Sequence, residues 1–135
     1  MNNFEIIPSD KGVTIKATGS TRAGLMVAAV KGATAAMDAV ATDESSKEIE
    51  RAFSLSTAAF AGLVTAVVSA VLASSAEHHE AYHDVKFSLI TDKQANGAFI
   101  GRAANVKEPL KLADQAIEPK KNGEGMWEAE IVLTA

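Results

Sequence analysis

The stretch Glu77–Phe87, EHHEAYHDVKF, decides the fold. Inside it, His79-Glu80-Ala81-Tyr82-His83 spells H-E-x-x-H. Zinc proteases carry that string on a helix, with the two histidines one turn apart and the glutamate acting as general base on a metal-bound water. The reading requires a helix that continues through His83. The flanks decide whether one does. Upstream, STAAFAGLVTAVVSAVLASSA (56–76) places Phe60, Leu63, Val64, Val67, Val68, Val71 and Leu72 on one wide apolar face. This predicts a helix, and the more buried of the chain's two. Downstream, DVKFSLITD (84–92) reads as a strand. Lys86 stands where the extended protease motif needs glycine, and no later helix is visible to bring a third ligand. The helix is therefore expected to stop before the histidines. They then sit at its C-terminal end, where the helix dipole favours them. All three histidines of the chain fall within six residues, so weak binding of zinc or nickel without chemistry also stays open.

Working outward, Val13, Ile15 and Ala17 alternate with Thr14, Lys16 and Thr18, which predicts a strand with one wet face. A short apolar run, Phe4–Ile7, precedes it and closes at Pro8. Gly19-Ser20-Thr21 stops the strand, with Ser20 or Thr21 as the expected N-cap. Met26, Val30, Ala33, Met37 and Val40 then describe an amphipathic helix of about five turns. Its small residues Gly24, Ala28, Ala29, Gly32 and Ala36 allow close approach to a sheet. Ile49, Arg51, Phe53 and Leu55 alternate with Glu50, Ala52 and Ser54 in another strand, after which Ser56 or Thr57 is expected to cap the second helix. In KQANG, Asn96-Gly97 suggests a hairpin turn. AFIGRAANVK returns from it, LADQAIEP is an edge segment, KKNGEG is a turn, and MWEAEIVLTA alternates to the end. The expected class is α+β, with two helices packed on one side of a mixed, mostly antiparallel sheet.

The bulk properties narrow the function. A chain of 135 residues with 47% apolar content fits one domain, residues 1–135, with a real core. The formal net charge is -4, and no basic patch is visible, so direct nucleic-acid binding is not expected. Cysteine is absent, which removes disulfides and Cys-based zinc sites. No signal peptide is visible, and the Ala-, Ser- and Thr-rich apolar segment reads as a core helix rather than a membrane span. A cytoplasmic location is the expectation. GxSxG and P-loop patterns are absent. GSTRAG opens a helix after a strand and could hold an anion, although a plain cap explains it as well.

The order of elements resembles the archease family. Archeases begin with a short strand, an H-T-A-D-x-G-I turn, a strand ending A-x-G, and a small-residue helix. Here IPSDKGVTIKATG supplies Asp10, Gly12, Val13, Ala17 and Gly19. LMVAAVKGATAAM is similar to the family's first helix, and FSLSTAAFAGLVTAVVSAVL to its strand and second helix. DVKFSLI, the return strand, PLKLADQAIEP with Lys111, and GMWEAEIVLTA follow in the family's order. The resemblance implies an accessory protein that activates an RNA ligase in tRNA splicing and RNA repair. It also implies a metal held by acidic residues, a hard-oxygen site suited to calcium, magnesium or manganese. Departures are visible. Ile7 and Pro8 replace the family's His and Thr, Thr134 stands in place of an acid, and the histidine expected near Gln115 is missing. Asp10 matches the first acidic position. Glu77, His78 and His79 are candidates to join it in a softer site that would also admit zinc. Three functions follow: an archease-like activator with a protein partner, a metal-dependent hydrolase using His79, Glu80 and His83, and an interaction module without catalytic activity.

Overall fold

The computed structural model describes residues 3–9, 12–37, 40–41, 47–105, 110–113 and 117–134. Their elements run β1 (Asn3–Ser9), β2 (Gly12–Gly19), α1 (Arg22–Ala36), β3 (Val40–Ala41), β4 (Ile49–Ser56), α2 (Phe60–His78), β5 (Glu80–Ile90), β6 (Gln94–Asn105), β7 (Lys111–Leu112), β8 (Lys120–Lys121) and β9 (Trp127–Thr134). The class is α+β, and every described strand pair is antiparallel.

The strands divide into two sheets. In the first the order is β1-β2-β9-β7, with β8 also on β9. In the second β6 is central and pairs with β3, β4 and β5. The division follows from the composition of α1. Ten of its fifteen residues are buried, among them Gly24, Leu25, Met26, Ala29, Val30 and Ala33. A helix apolar on most of its circumference must be covered on more than one side. It packs on β1, β2 and β9 of the first sheet, on β5 of the second, and on α2. Ile15, Ala17, Ala129, Ile131 and Leu133 meet it from β2 and β9 in one continuous core.

Several local expectations need correction. α1 is the more buried helix, since only seven of the nineteen residues of α2 are buried. α1 also ends at Ala36, and Val40 begins β3, paired with Asn105. Thr21 caps α1 as expected, its hydroxyl accepting from the Gly24 N–H at 2.9 Å. The cap residue of α2, however, is Ala59, which offers no side-chain acceptor; Thr57 instead donates to the Ala59 carbonyl at 2.8 Å. The β5–β6 turn lies at Thr91–Lys93, where the Thr91 hydroxyl accepts from the Lys93 and Gln94 N–H groups at 3.2 and 3.0 Å. Asn96 and Gly97 are strand residues, opposite Ser54 and Phe53 on β4. Glycine is required at 97 for a different reason than a turn: a Cβ there would collide with the Lys86 carbonyl. The 122–125 turn forms as expected, with Gly125 at φ 78° and the Asn122 side-chain oxygen accepting from Glu124 and Met126 N–H groups.

Candidate functional site

α2 ends in front of the HEAYH string. His79 takes a left-handed conformation, φ 54°, and its N–H donates to the Ser75 carbonyl, closing the helix. That single residue reverses the chain. The His79 carbonyl accepts from Ala104 N–H at 2.8 Å, which starts the pairing of β5 with β6. The helix that a protease motif needs is therefore absent: His79 is a turn residue, and His83 lies exposed in a strand.

The reversal turns Glu80 inward. It is 2% exposed. Its carboxylate accepts both Nε and Nη2 of Arg51 at 2.8 Å and the Tyr82 hydroxyl at 2.7 Å. Tyr82 and Ser74 share a further hydrogen bond of 2.7 Å, and the Ser75 hydroxyl donates to the Glu80 carbonyl. β4, α2 and β5 are thus tied at one buried point. Electrostatics follow from the contacts. The Arg51 guanidinium holds the Glu80 carboxyl below the usual carboxylate range, against the opposing effect of burial, with the Tyr82 hydroxyl assisting. Arg51 is correspondingly raised by its hydrogen bonds to Glu80. Burial is the chief reason that Tyr82 is pushed up to about 12. A carboxylate with both oxygens engaged by a guanidinium and a phenol, and held below its ordinary range, is a poor base toward water. The network is structural.

Glu77, His78 and His79 are exposed at the end of α2, and Asp10 lies outside the described residues. Thr134, in the position of the family's acid, is paired with Gly12. Among the described residues no three histidine, aspartate or glutamate side chains gather around one point. Of the described candidates only Glu77 offers an oxygen donor, and a hard divalent ion takes several.

Sequence reasoning missed the Arg51–Glu80–Tyr82 network, but a signal was present. Arg51 occupies the same stripe as Ile49, Phe53 and Leu55, and an arginine in an apolar stripe requires an anionic partner. A second cluster was missed too. The Arg22 guanidinium lies 4.8 Å from the centre of the Trp127 ring and 5.6 Å from that of Phe60, and pairs with Asp92 at 2.9 Å.

No family model and no curated protein matches this chain. Solved structures do. The chain is similar to an archease of Thermotoga maritima, described as a possible chaperone, with TM-score 0.61 and 12% identity over 97% of this chain and 96% of that one. It is also similar to a Methanobacterium thermoautotrophicum protein solved in solution, with TM-score 0.52 and 14% identity over 98% of both chains. The chain has an archease-like fold over 97% of its length.

Proposed function

We propose that the chain is an archease-like accessory protein that acts on a protein partner, an RNA ligase of tRNA splicing or RNA repair, and promotes its repeated guanylylation. The observation that carries this reading is the end-to-end likeness to an archease. The HEAYH string supports this reading over a metal-dependent hydrolase, because Glu80 is engaged by Arg51 and Tyr82 and His79 and His83 are not on a helix face. A metal at Asp10, Glu77, His78 and His79 forms no part of the proposal. The test is transfer of labelled guanylate from GTP to an RNA ligase, followed over several turnovers with and without the chain, with co-elution measured alongside. Stimulated turnover is expected. Absence of both stimulation and co-elution across ligases from organisms carrying this chain would overturn the reading.

A further inference from the structure

The strands that border the two sheets differ in how they resist a further strand. A bare strand edge offers unpaired N–H and C=O groups, and proteins blunt it with short strands, proline, bulges or charge. In the first sheet, β1 contains Pro8, while β7 and β8 are two residues each. In the second, β5 carries Lys86 and pairs with β6 through register shifts at Tyr82/Asp84 and Phe87/Leu89. β4 has no such device. Its residues pair with β6 in unbroken register from Ile49–Gly101 to Ser56–Gln94, and among the described residues β6 is its only mate. Its inward charge, Arg51, is neutralised by Glu80. The direction of the backbone groups of β4 follows from its end. Thr57 N–H donates to the Lys93 carbonyl at 2.7 Å, one step beyond the Ser56–Gln94 pair and in the same register. In an antiparallel strand alternate residues send N–H and C=O to the same side. Ile49, Arg51, Phe53 and Leu55 therefore bond towards β6, and Glu50, Ala52, Ser54 and Ser56 present their backbone groups outward. The side chains divide in the same way, the first four half-buried and the second four exposed.

We infer that β4 is a self-association edge, along which a second copy of this chain pairs antiparallel about a twofold axis at Ala52. Opposed residues of antiparallel strands lie on one face of the sheet, so few registers are open. The register centred on Ala52 opposes outward-bonding residues to one another. Ala52 meets the second copy's Ala52 and Glu50 meets the second copy's Ser54, each pair exchanging both of its N–H···O bonds. On the inner face Ile49 then meets the second copy's Leu55, and Arg51 the second copy's Phe53. Apolar pairs and a guanidinium beside a ring are favourable cross-strand neighbours. Centring on Arg51 would oppose two guanidinium groups. Centring on Phe53 would set Arg51 against the second copy's Leu55 and Ile49 against its Thr57. Pairing through β4 uses the bare edge of both copies and leaves only the guarded ones, so the assembly closes as a dimer and does not grow. The inference stands on strand geometry and does not depend on the proposed function.

Sedimentation of the intact chain from micromolar to millimolar concentration reads the association, and a concentration-dependent dimer is expected. A52K and A52E should each raise its dissociation constant about tenfold, because like charges then oppose each other at the axis. An equimolar mixture of the two should pair at least as tightly as the wild type. Ala52 is exposed, so both variants should keep the wild-type melting temperature when dilute. A52P removes an outward N–H and no bond to β6, and should abolish the dimer; if it does not fold, the lysine and glutamate variants carry the test. Amide exchange supplies a second readout. Glu50, Ala52 and Ser54 should slow as concentration rises, whereas Arg51 and Phe53, already bonded to β6, should not. A chain that stays monomeric throughout, or a dimer indifferent to A52K, to A52E and to their mixing, would overturn the inference. Protection of those three amides only when an RNA ligase is added would overturn it too, and would give the edge to another protein.

Discussion

Glu80 shows how one residue's role depends on its surroundings. In the string H-E-x-x-H it has the look of a base; in the fold it is the buried half of an ion pair. Two consequences are measurable. Substituting Arg51 by methionine leaves the Glu80 carboxylate without its cation and destabilises the fold. Glu80→Gln costs less, because the half-exposed Arg51 side chain can turn to water. Urea unfolding of the two variants should rank them in that order. The pH dependence has two limbs. Glu80 is depressed when folded, so its contribution is complete above the ordinary carboxyl range and is lost as pH falls through the depressed value. Tyr82 is raised when folded, so its contribution is complete below pH 10 and is lost as pH rises towards about 12. Melting temperatures across both ranges check the signs, and Tyr82→Phe should remove the alkaline limb. His79 is the neighbouring case. It pays for a left-handed backbone at φ 54°, and His79→Gly should raise stability by about 0.5–1 kcal/mol in the same unfolding assay.

Alternation revealed β2, β4 and β9 because each has one face in the core, and the 3.6-residue period revealed both helices. What periodicity does not encode is which strands share backbone hydrogen bonds. The two sheets were therefore invisible, and so was β3, whose two residues are too few to alternate. Asn96-Gly97 has turn composition, yet β6 needs its glycine for closeness to β5. Gly97→Ala should accordingly destabilise by about 2 kcal/mol, as overpacking does, although the residue is not in a turn; a thermal melt decides. α2 separates face from face. Val67 is buried and Ser69 exposed. Val67→Ala should cost at least about 1 kcal/mol, whereas Ser69→Lys should stay within about 0.5 kcal/mol of neutral and leave the protein soluble. A helix that is long and apolar enough to cross a bilayer by composition tolerates that lysine only if the opposite face is its packed one. The candidate site was legible in part: the composition change predicted a helix stop before the histidines, whereas α2 runs on through Glu77 and His78 and closes at His79, and the inward turn of Glu80 depends on a left-handed backbone at His79 that composition does not encode.

On the scale of the molecule, α1 joins the two sheets, because it touches β1, β2 and β9 on one side and β5 on another. A core shared in this way should unfold as a unit. Fluorescence of Trp127, on the first sheet, and circular dichroism of the whole chain should give coincident denaturation curves; two separated transitions would mean that the sheets are independent. The order of the first sheet carries a further implication for how the protein is made. β2 pairs with β1 at once, but its other neighbour, β9, is translated about a hundred residues later, roughly 5–20 s at ribosomal speed. Throughout that interval the flank of β2 that will receive β9 has no mate in the nascent polypeptide. Whatever attends the ribosome must shield an open, half-built edge until residues 127–134 emerge to close it.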